Sequence, residues 1–256
     1  MSALSFRGLV TLRKIFSAPT EFEMINVTIN NGTLYIELDD PSSRNSFSLR
    51  TAKAFAAAIQ SGPYDSVIFR ARGRVFCSGG NLADYAAQTT PEPGLLVNRE
   101  ITEILERFSQ LPVPTFCLVS GDCFGGGLEV MSAFDFIFAA PHIVFGFWQR
   151  KIALTYGWGG ETRLTSRLGV QKPRQLALSA SVIGAREALN IGLVDELYHV
   201  EKLESAACQK IRSLRELPST PLQSLKAISN LTEQERFEAV WWNVEHQKIL
   251  ASRRAK

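Results

Sequence analysis

Short apolar runs alternate with segments of helical periodicity over most of the chain. Runs rich in β-branched and aromatic residues predict strands at residues 25–29, 33–38, 66–71, 115–119 and 135–139. The first two flank an Asn-Asn-Gly turn, which is a strong signal for a β-hairpin. The later strands are separated by stretches long enough to hold a helix.

Apolar residues at helical spacing fill several of those stretches. Ser48 caps a predicted helix that continues through about Gln60, and a second helix is predicted from about Leu95 to Gln110. A third helix is expected to start at the glycine triplet 125–127. Strands that alternate with helices are typical of α/β layering, so an α/β fold is predicted for residues 24–200.

The C-terminal part of the chain is almost entirely helical in pattern, apart from a short strand predicted at residues 193–200. The last helix is predicted to be continuous over residues 232–253. Trp241 and Trp242 on this helix are expected to face a partner surface. Residues 201–256 are therefore interpreted as a C-terminal helical segment that supports oligomers.

Residues 1–23 form a separate N-terminal extension with two open interpretations. They contain Arg7, Arg13 and Lys14, scattered serines and no acidic residue before position 21, which is the pattern of an organelle transit peptide. Alternatively they are a frayed extension, or the true start is Met24. A cytoplasmic location is expected, with the mitochondrial matrix as the alternative if the extension is a transit peptide.

Composition narrows the class of protein. The 256 residues are 45% hydrophobic and 21% charged, as in ordinary globular proteins. The net charge of +3 is too small to indicate nucleic acid as a partner. No apolar run approaches the roughly 20 residues that span a bilayer. The four cysteines are scattered, with no CxxC and no pairing with histidine, so no metal site is predicted.

Three glycine-bearing segments could bring backbone N–H groups close to a ligand: residues 74–82, 121–129 and 156–160. None of them contains the GxGxxG or GxxxxGK[ST] pattern of a nucleotide-phosphate site. The chain also lacks the GxSxG pattern of a hydrolase nucleophile. Taken separately, each segment is equally well explained as a tight turn.

Taken in order, the segments resemble the crotonase superfamily, the enoyl-CoA hydratase/isomerase family. Residues 76–82 (FCSGGNL) are similar to the family's first oxyanion loop, and residues 121–129 (GDCFGGGLE) are similar to its second. Residues 158–169 resemble its G-G-x-x-R-L helix. The resemblance implies a crotonase-type spiral of repeated ββα units with a C-terminal helical segment. It also implies a homotrimer or a dimer of trimers, and no separate cofactor because coenzyme A is part of the substrate.

The resemblance assigns roles to individual residues. The N–H groups of Gly80 and Gly126 would stabilise the enolate oxygen of a CoA thioester, each contributing about 3–4 kcal/mol. Glu129 matches the first of the two family glutamates and would act as a general acid or base. A glutamate in the first turn of a helix is equally favoured by the helix dipole and capping alone.

The second family glutamate is missing. The ungapped match places Gln149 there, and glutamine cannot exchange a proton at neutral pH. Arg150 and Lys151 follow it, either as a solvated pair or as a site for a substrate carboxylate. The leading expectation is decarboxylation of a short malonyl-type acyl-CoA. The alternatives are an enoyl-CoA hydratase or isomerase that uses Glu129 alone, or a non-catalytic CoA- or RNA-binding protein.

Two further sets of residues follow from the resemblance. The chain is partly similar to ethylmalonyl- and methylmalonyl-CoA decarboxylases, and Tyr156 falls where the latter carry an active-site tyrosine. Tyr156 is alternatively a packed loop aromatic. The residues expected to meet coenzyme A are Arg44, Gly79, Asn81, Leu82 and Ala83. Asn81 replaces the aspartate that is usual in the family.

Overall fold

The computed structural model describes residues 10–11, 24–226, 232–241 and 243–254. Within these ranges the chain is a mixed α/β protein. Its strands are β1 Val10–Thr11, β2 Ile25–Asn30, β3 Thr33–Leu38, β4 Ser66–Ala71, β5 Val75–Cys77, β6 Thr115–Val119, β7 Asp122–Phe124, β8 Phe136–Ala139, β9 Val144–Gly146, β10 Val182–Gly184 and β11 Glu196–Leu197.

Helices follow most of the strands. They are α1 Leu49–Ile59, α2 Leu82–Ala86, α3 Glu92–Ser109, α4 Gly126–Met131, α5 Gly160–Leu168, α6 Gln171–Leu178, α7 Ala185–Asn190, α8 Val200–Arg215, α9 Leu222–Lys226, α10 Glu233–Val240 and α11 Val244–Arg254. Short 3-10 turns lie at Pro41–Ser43 and Gln149–Ile152. None of the helices in the described ranges is long and apolar enough to cross a membrane.

The strands form two sheets. The larger has the order β1-β2-β3-β4-β6-β8-β11, and all its pairs from β3 to β11 are parallel. The smaller has the order β10-β9-β7-β5, with β5, β7 and β9 parallel. Each turn of the chain therefore adds one long strand, one short strand and usually a helix. The predicted spiral of ββα units is confirmed.

Aromatic side chains fill the space between α1, α3 and the larger sheet. Phe55 lies 4.8 Å from Phe108 between ring centroids, and Phe108 lies 4.5 Å from Phe134. Phe69 on β4 stacks on Phe134 at 5.2 Å. Aromatic pairs at these distances contribute beyond the burial of their area. This cluster holds the layers together beneath the ends of the short strands.

Three sequence predictions about elements differ from the structure. The helix predicted from Leu95 starts earlier, at Glu92. The strand predicted over residues 193–200 is only Glu196–Leu197, because the N–H groups of Leu193 and Val194 both bond to the carbonyl of Ala188 and close the end of α7 instead.

The prediction of one continuous helix over residues 232–253 is also wrong. Helix α10 ends at Val240, Trp241 is extended, and α11 begins at Val244. Asn243 favours this break because its side-chain oxygen accepts the N–H of His246 and so caps the new helix. Trp241 is 53% exposed. Trp242 lies outside the described residues, and a partner surface here stays a prediction.

Most of the predicted N-terminal extension lies outside the described residues. The described pair Val10–Thr11 forms an antiparallel edge strand against β2, with Val10 opposite Ile29. At the other end of the core, α8 packs on the larger sheet through its buried Leu203, Ala207 and Ile211.

Candidate active site

One cavity of about 930 Å³ lies where β5, β7 and β9 end. The segments that follow these strands supply most of its inner wall, since the carboxyl ends of parallel strands meet at one edge of a sheet. The cavity brings together every residue that the sequence assigned to a site: Arg44, Gly79, Gly80, Asn81, Leu82, Ala83, Gly126, Glu129, Gln149 and Tyr156.

Two glycine loops meet at the inner wall. A Cβ atom at Gly79, which has φ +93°, would lie 2.9 Å from the backbone nitrogen of Gly126, so only glycine permits this approach. The N–H of Gly125 donates to the carbonyl of Gly146 on β9. Among the hydrogen bonds of the described residues, the N–H groups of Gly80 and Gly126 have no protein acceptor. Both donors are therefore available to a ligand in the cavity.

Glu129 is only 3% exposed, and its carboxylate is held by the turn before α5. Its Oε2 atom accepts N–H bonds from Trp158 at 2.8 Å, Gly160 at 3.1 Å and Gly157 at 3.2 Å. Burial raises the pKa of this carboxyl, although the three N–H donors and the neighbouring Gln149 amide oppose the shift. Glu129 therefore lines the cavity and also ties down the turn at residues 157–160, a role that sequence reasoning missed.

Gln149 begins the 3-10 turn after β9 and is 6% exposed. Its Nε2 and Oε1 atoms make no hydrogen bond of ordinary geometry, although the amide lies close enough to the carboxylate of Glu129 to lower the pKa of that group. A buried amide left in this state typically costs about 1–3 kcal/mol per unsatisfied group. Such a group in a cavity wall is typical of a site that meets a polar ligand.

The two cations after Gln149 point in different directions. The guanidinium of Arg150 donates to the carbonyl of Leu178, and this side chain is absent from the cavity wall. Lys151 lines the cavity, with its Nζ atom 4.3 Å from the centroid of the Trp148 ring. Trp148 in turn stacks on Phe124 at 4.1 Å. Of the pair, only Lys151 is placed to meet a substrate carboxylate.

Tyr156 lines the cavity but its hydroxyl group points elsewhere. It donates to the carbonyl of Pro173, with 3.3 Å between the oxygens. Burial, and then the charge of Glu129, raise the pKa of this phenol. Tyr156 is therefore a neutral donor at neutral pH, and its present bond is long enough to be exchanged for a stronger acceptor.

The remaining predicted positions lie at the rim. Arg44 is exposed and adopts a left-handed conformation with φ +56°. The next residue, Asn45, is buried and fixes this loop by donating to the carbonyls of Arg72 and Val75, both at 2.7 Å. Asn81 caps α2, since its side-chain oxygen accepts the N–H of Ala83. Within the described ranges, no cluster of three His, Cys, Asp or Glu side chains is arranged to hold a metal ion.

A cluster of three side chains at the inner wall was not predicted. Asn98 on α3 accepts hydrogen bonds on its Oδ1 atom from Trp158 Nε1 at 2.8 Å and from the hydroxyl of Tyr85 at 2.9 Å. Trp158 belongs to a motif that the sequence identified, but nothing in the sequence pairs it with a residue 60 positions earlier. Asn98 carries no sequence signal of its own, because a lone asparagine in a helix matches no catalytic or binding pattern.

The spiral of ββα units, with a cavity walled by two glycine loops, is the crotonase fold. A crystal structure of enoyl-CoA hydratase from Bacillus anthracis matches it with a TM-score of 0.80 and 26% identity, over 91% of this chain and 96% of that one. The family model described as enoyl-CoA hydratase/isomerase matches residues 28–248. The chain belongs to the enoyl-CoA hydratase/isomerase family.

Curated relatives carry two different activities in their names. Ethylmalonyl-CoA decarboxylase of Mus musculus is 28% identical over 243 residues, covering 87% of this chain and 75% of that protein. The mitochondrial methylglutaconyl-CoA hydratase of Homo sapiens is 30% identical over 200 residues, covering 75% of this chain and 59% of that protein. The names of these two relatives thus give different reactions within one family.

Proposed function

We propose that the protein decarboxylates a short malonyl-type acyl-CoA. The observation that carries this proposal is Gln149, a buried amide whose two polar atoms make no hydrogen bond of ordinary geometry. By the family resemblance, it stands where hydratases hold a second glutamate. The amide offers a donor and an acceptor, but it neither loses nor takes up a proton at neutral pH. It can orient a carboxylate, whereas it cannot act as an acid or base in the addition of water.

The reaction needs little from the side chains. The bond between the α-carbon and the carboxylate breaks, and its electron pair forms the thioester enolate as carbon dioxide leaves. The N–H groups of Gly80 and Gly126 stabilise the enolate oxygen. Gln149 and Lys151 orient the carboxylate before it leaves. A proton from water entering through the cavity mouth then adds to the α-carbon, giving the shortened acyl-CoA.

The hydrogen bonds that Glu129 accepts also support decarboxylation. A general base for hydration must be within reach of a water and free to take its proton. Here Oε2 of Glu129 already accepts three N–H bonds from residues 157–160. One oxygen of the carboxylate is thereby engaged in holding the cavity wall, a task that decarboxylation leaves undisturbed.

Hydration or isomerisation with Glu129 alone is the second candidate. It is favoured by the raised pKa of Glu129, which is usual for a group that exchanges protons in a cavity. The similarity to methylglutaconyl-CoA hydratase of Homo sapiens points the same way. A non-catalytic CoA- or RNA-binding role is a weaker alternative, because the two unpaired N–H donors are retained.

Mass spectrometry of products distinguishes these functions. The purified protein is incubated with malonyl-, methylmalonyl-, ethylmalonyl- and 2-enoyl-CoA esters. Loss of carbon dioxide from the malonyl-type esters is expected, and gain of water on the enoyl esters without it would overturn decarboxylation. Gln149→Glu serves as the matched variant, since it restores the second glutamate and is expected to reduce decarboxylation and to gain hydration.

Other attributes are proposed together with this function. The reaction requires no separate cofactor, because coenzyme A is covalently part of the substrate. A homotrimer or a dimer of trimers and a cytoplasmic location are proposed on the family resemblance and the composition. Size-exclusion chromatography with light scattering and localisation of a tagged full-length chain test them.

A further inference from the structure

The indole ring of Trp158 lies against both Gly80 and Gly126, the two cavity-lining glycines whose N–H groups have no protein acceptor among the described residues. A Cβ atom at Gly126 would be only 2.4 Å from Trp158 Cζ3, and one at Gly80 would be 3.4 Å from Trp158 Cζ2. The edge of the benzene ring therefore spans the gap between the two α-carbons. Trp158 is 4% exposed and still contributes to the cavity wall.

Trp158 is held in this position from three directions. Its Nε1 atom donates to Asn98, its backbone N–H donates to Glu129, and its ring lies 6.0 Å from the ring of Phe47 between centroids. Asn98 is itself fixed by the hydroxyl of Tyr85. An indole constrained in this way cannot swing aside for a ligand without breaking a buried hydrogen bond.

We infer that Trp158, positioned by Asn98, sets the upper size of the acyl group that this cavity accepts. A thioester oxygen between the two N–H groups would place the first acyl carbons against the indole edge, where the ring occupies space that a longer chain would need. The ligand is an acyl-CoA, so the inference rests on the proposed function for its ligand class but not for its reaction. Trp158 is a specificity-determining residue and Asn98 is a positioning residue.

Binding of saturated acyl-CoA esters tests this without any turnover. Butyryl-, hexanoyl- and octanoyl-CoA keep the thioester but lack both a β-carboxylate and a double bond. Isothermal titration calorimetry of the wild-type protein is expected to show butyryl-CoA binding about tenfold more tightly than octanoyl-CoA. In Trp158→Leu this preference is expected to vanish or reverse, since added methylenes gain affinity once a pocket has space for them.

Paired variants at Asn98 keep the test decisive if Trp158→Leu fails to fold. Asn98→Leu removes the acceptor for Nε1 and is expected to move the chain-length profile in the same direction. Asn98→Asp keeps an acceptor and is expected to retain the wild-type profile. Trp241→Leu removes a tryptophan outside the cavity wall and is the control for general effects of tryptophan loss.

The outcomes separate the two proposals. Equal binding of butyryl- and octanoyl-CoA by the wild-type protein would overturn the inference. An unchanged preference in folded Trp158→Leu, or in folded Asn98→Leu, would also overturn it. If the chain-length profile shifts as expected while no ester loses carbon dioxide, the role of Trp158 in size selection is confirmed and the proposed reaction is wrong. If carbon dioxide is lost while the profile does not move, the reaction stands and Trp158 has no role in size selection.

Discussion

Glu129 accepts a hydrogen bond from the backbone N–H of Trp158 at 2.8 Å, across 29 positions of sequence. The bond joins α4, which follows the second glycine loop, to the turn at residues 157–160 that carries the indole ring of Trp158. Gly160 makes this possible, because a Cβ atom there would lie 2.3 Å from the Cγ atom of Glu129. The glutamate therefore has a structural task whatever its part in catalysis.

Removal of the Glu129 acceptor is expected to destabilise the protein. Glu129→Leu leaves the buried N–H groups of Trp158 and Gly160 unpaired, together with the exposed one of Gly157, and should lower the free energy of unfolding by about 2–3 kcal/mol. Hydrogen exchange at the amides of Gly157, Trp158 and Gly160 should accelerate. Chemical denaturation and amide exchange measure both effects. Glu161→Gln, an exposed neighbour, is the control, and equal stability of both variants would contradict the structural task.

The raised pKa of Glu129 makes a prediction about pH. The folded state binds the proton at a higher pH than the unfolded state, so the wild-type protein gains stability as the pH falls through the raised pKa. At pH values above the raised pKa, the stabilisation from this proton is absent, and the stability no longer changes with pH through Glu129. Denaturation of the wild type and of Glu129→Gln across the acidic range should show their difference changing in this direction. An unchanged difference would mean that burial does not raise the pKa.

Gly126 and Trp158 are expected to be energetically coupled. Gly126→Ala keeps the N–H donor but places a methyl group against the indole, and overpacking of this kind costs about 1–3 kcal/mol. Trp158→Leu should relieve part of that cost, giving a non-additive double-mutant cycle. Unfolding free energies of the four proteins measure the coupling. Strict additivity would show that the two residues are not in contact in solution.

Gln149 is expected to lower the free energy of unfolding of the ligand-free protein, although turnover requires it. Gln149→Leu removes two unpaired buried groups at similar volume, so it should raise the free energy of unfolding by about 1 kcal/mol or more. Turnover of malonyl-type esters should be lost in the same variant. Gln60→Leu, at an exposed glutamine, controls for added hydrophobicity. A destabilised Gln149→Leu would indicate that the amide has a partner in solution.

The parts of the site that sequence predicted are those encoded by local pattern. The glycines of both loops and Gln149 stand at fixed distances from recognisable motifs, so a single chain suffices to place them. Asn98 and Trp158 meet only because α3 packs against the turn before α5, and no local pattern encodes that contact. The break at Trp241 was missed for a related reason, since the apolar spacing continues across it although Asn243 caps the start of a new helix.

The 3-10 turn at Gln149–Ile152 is held by its backbone rather than by the side chain of its first residue. The N–H of Leu154 donates to the carbonyl of Gln149, that of Lys151 donates to the carbonyl of Trp148, and Arg150 anchors the turn to Leu178. A new side chain at position 149 therefore leaves the scaffold in place. Codons for glutamine and glutamate differ by one base, so the exchange at position 149 that we propose separates decarboxylation from hydration requires a single point mutation.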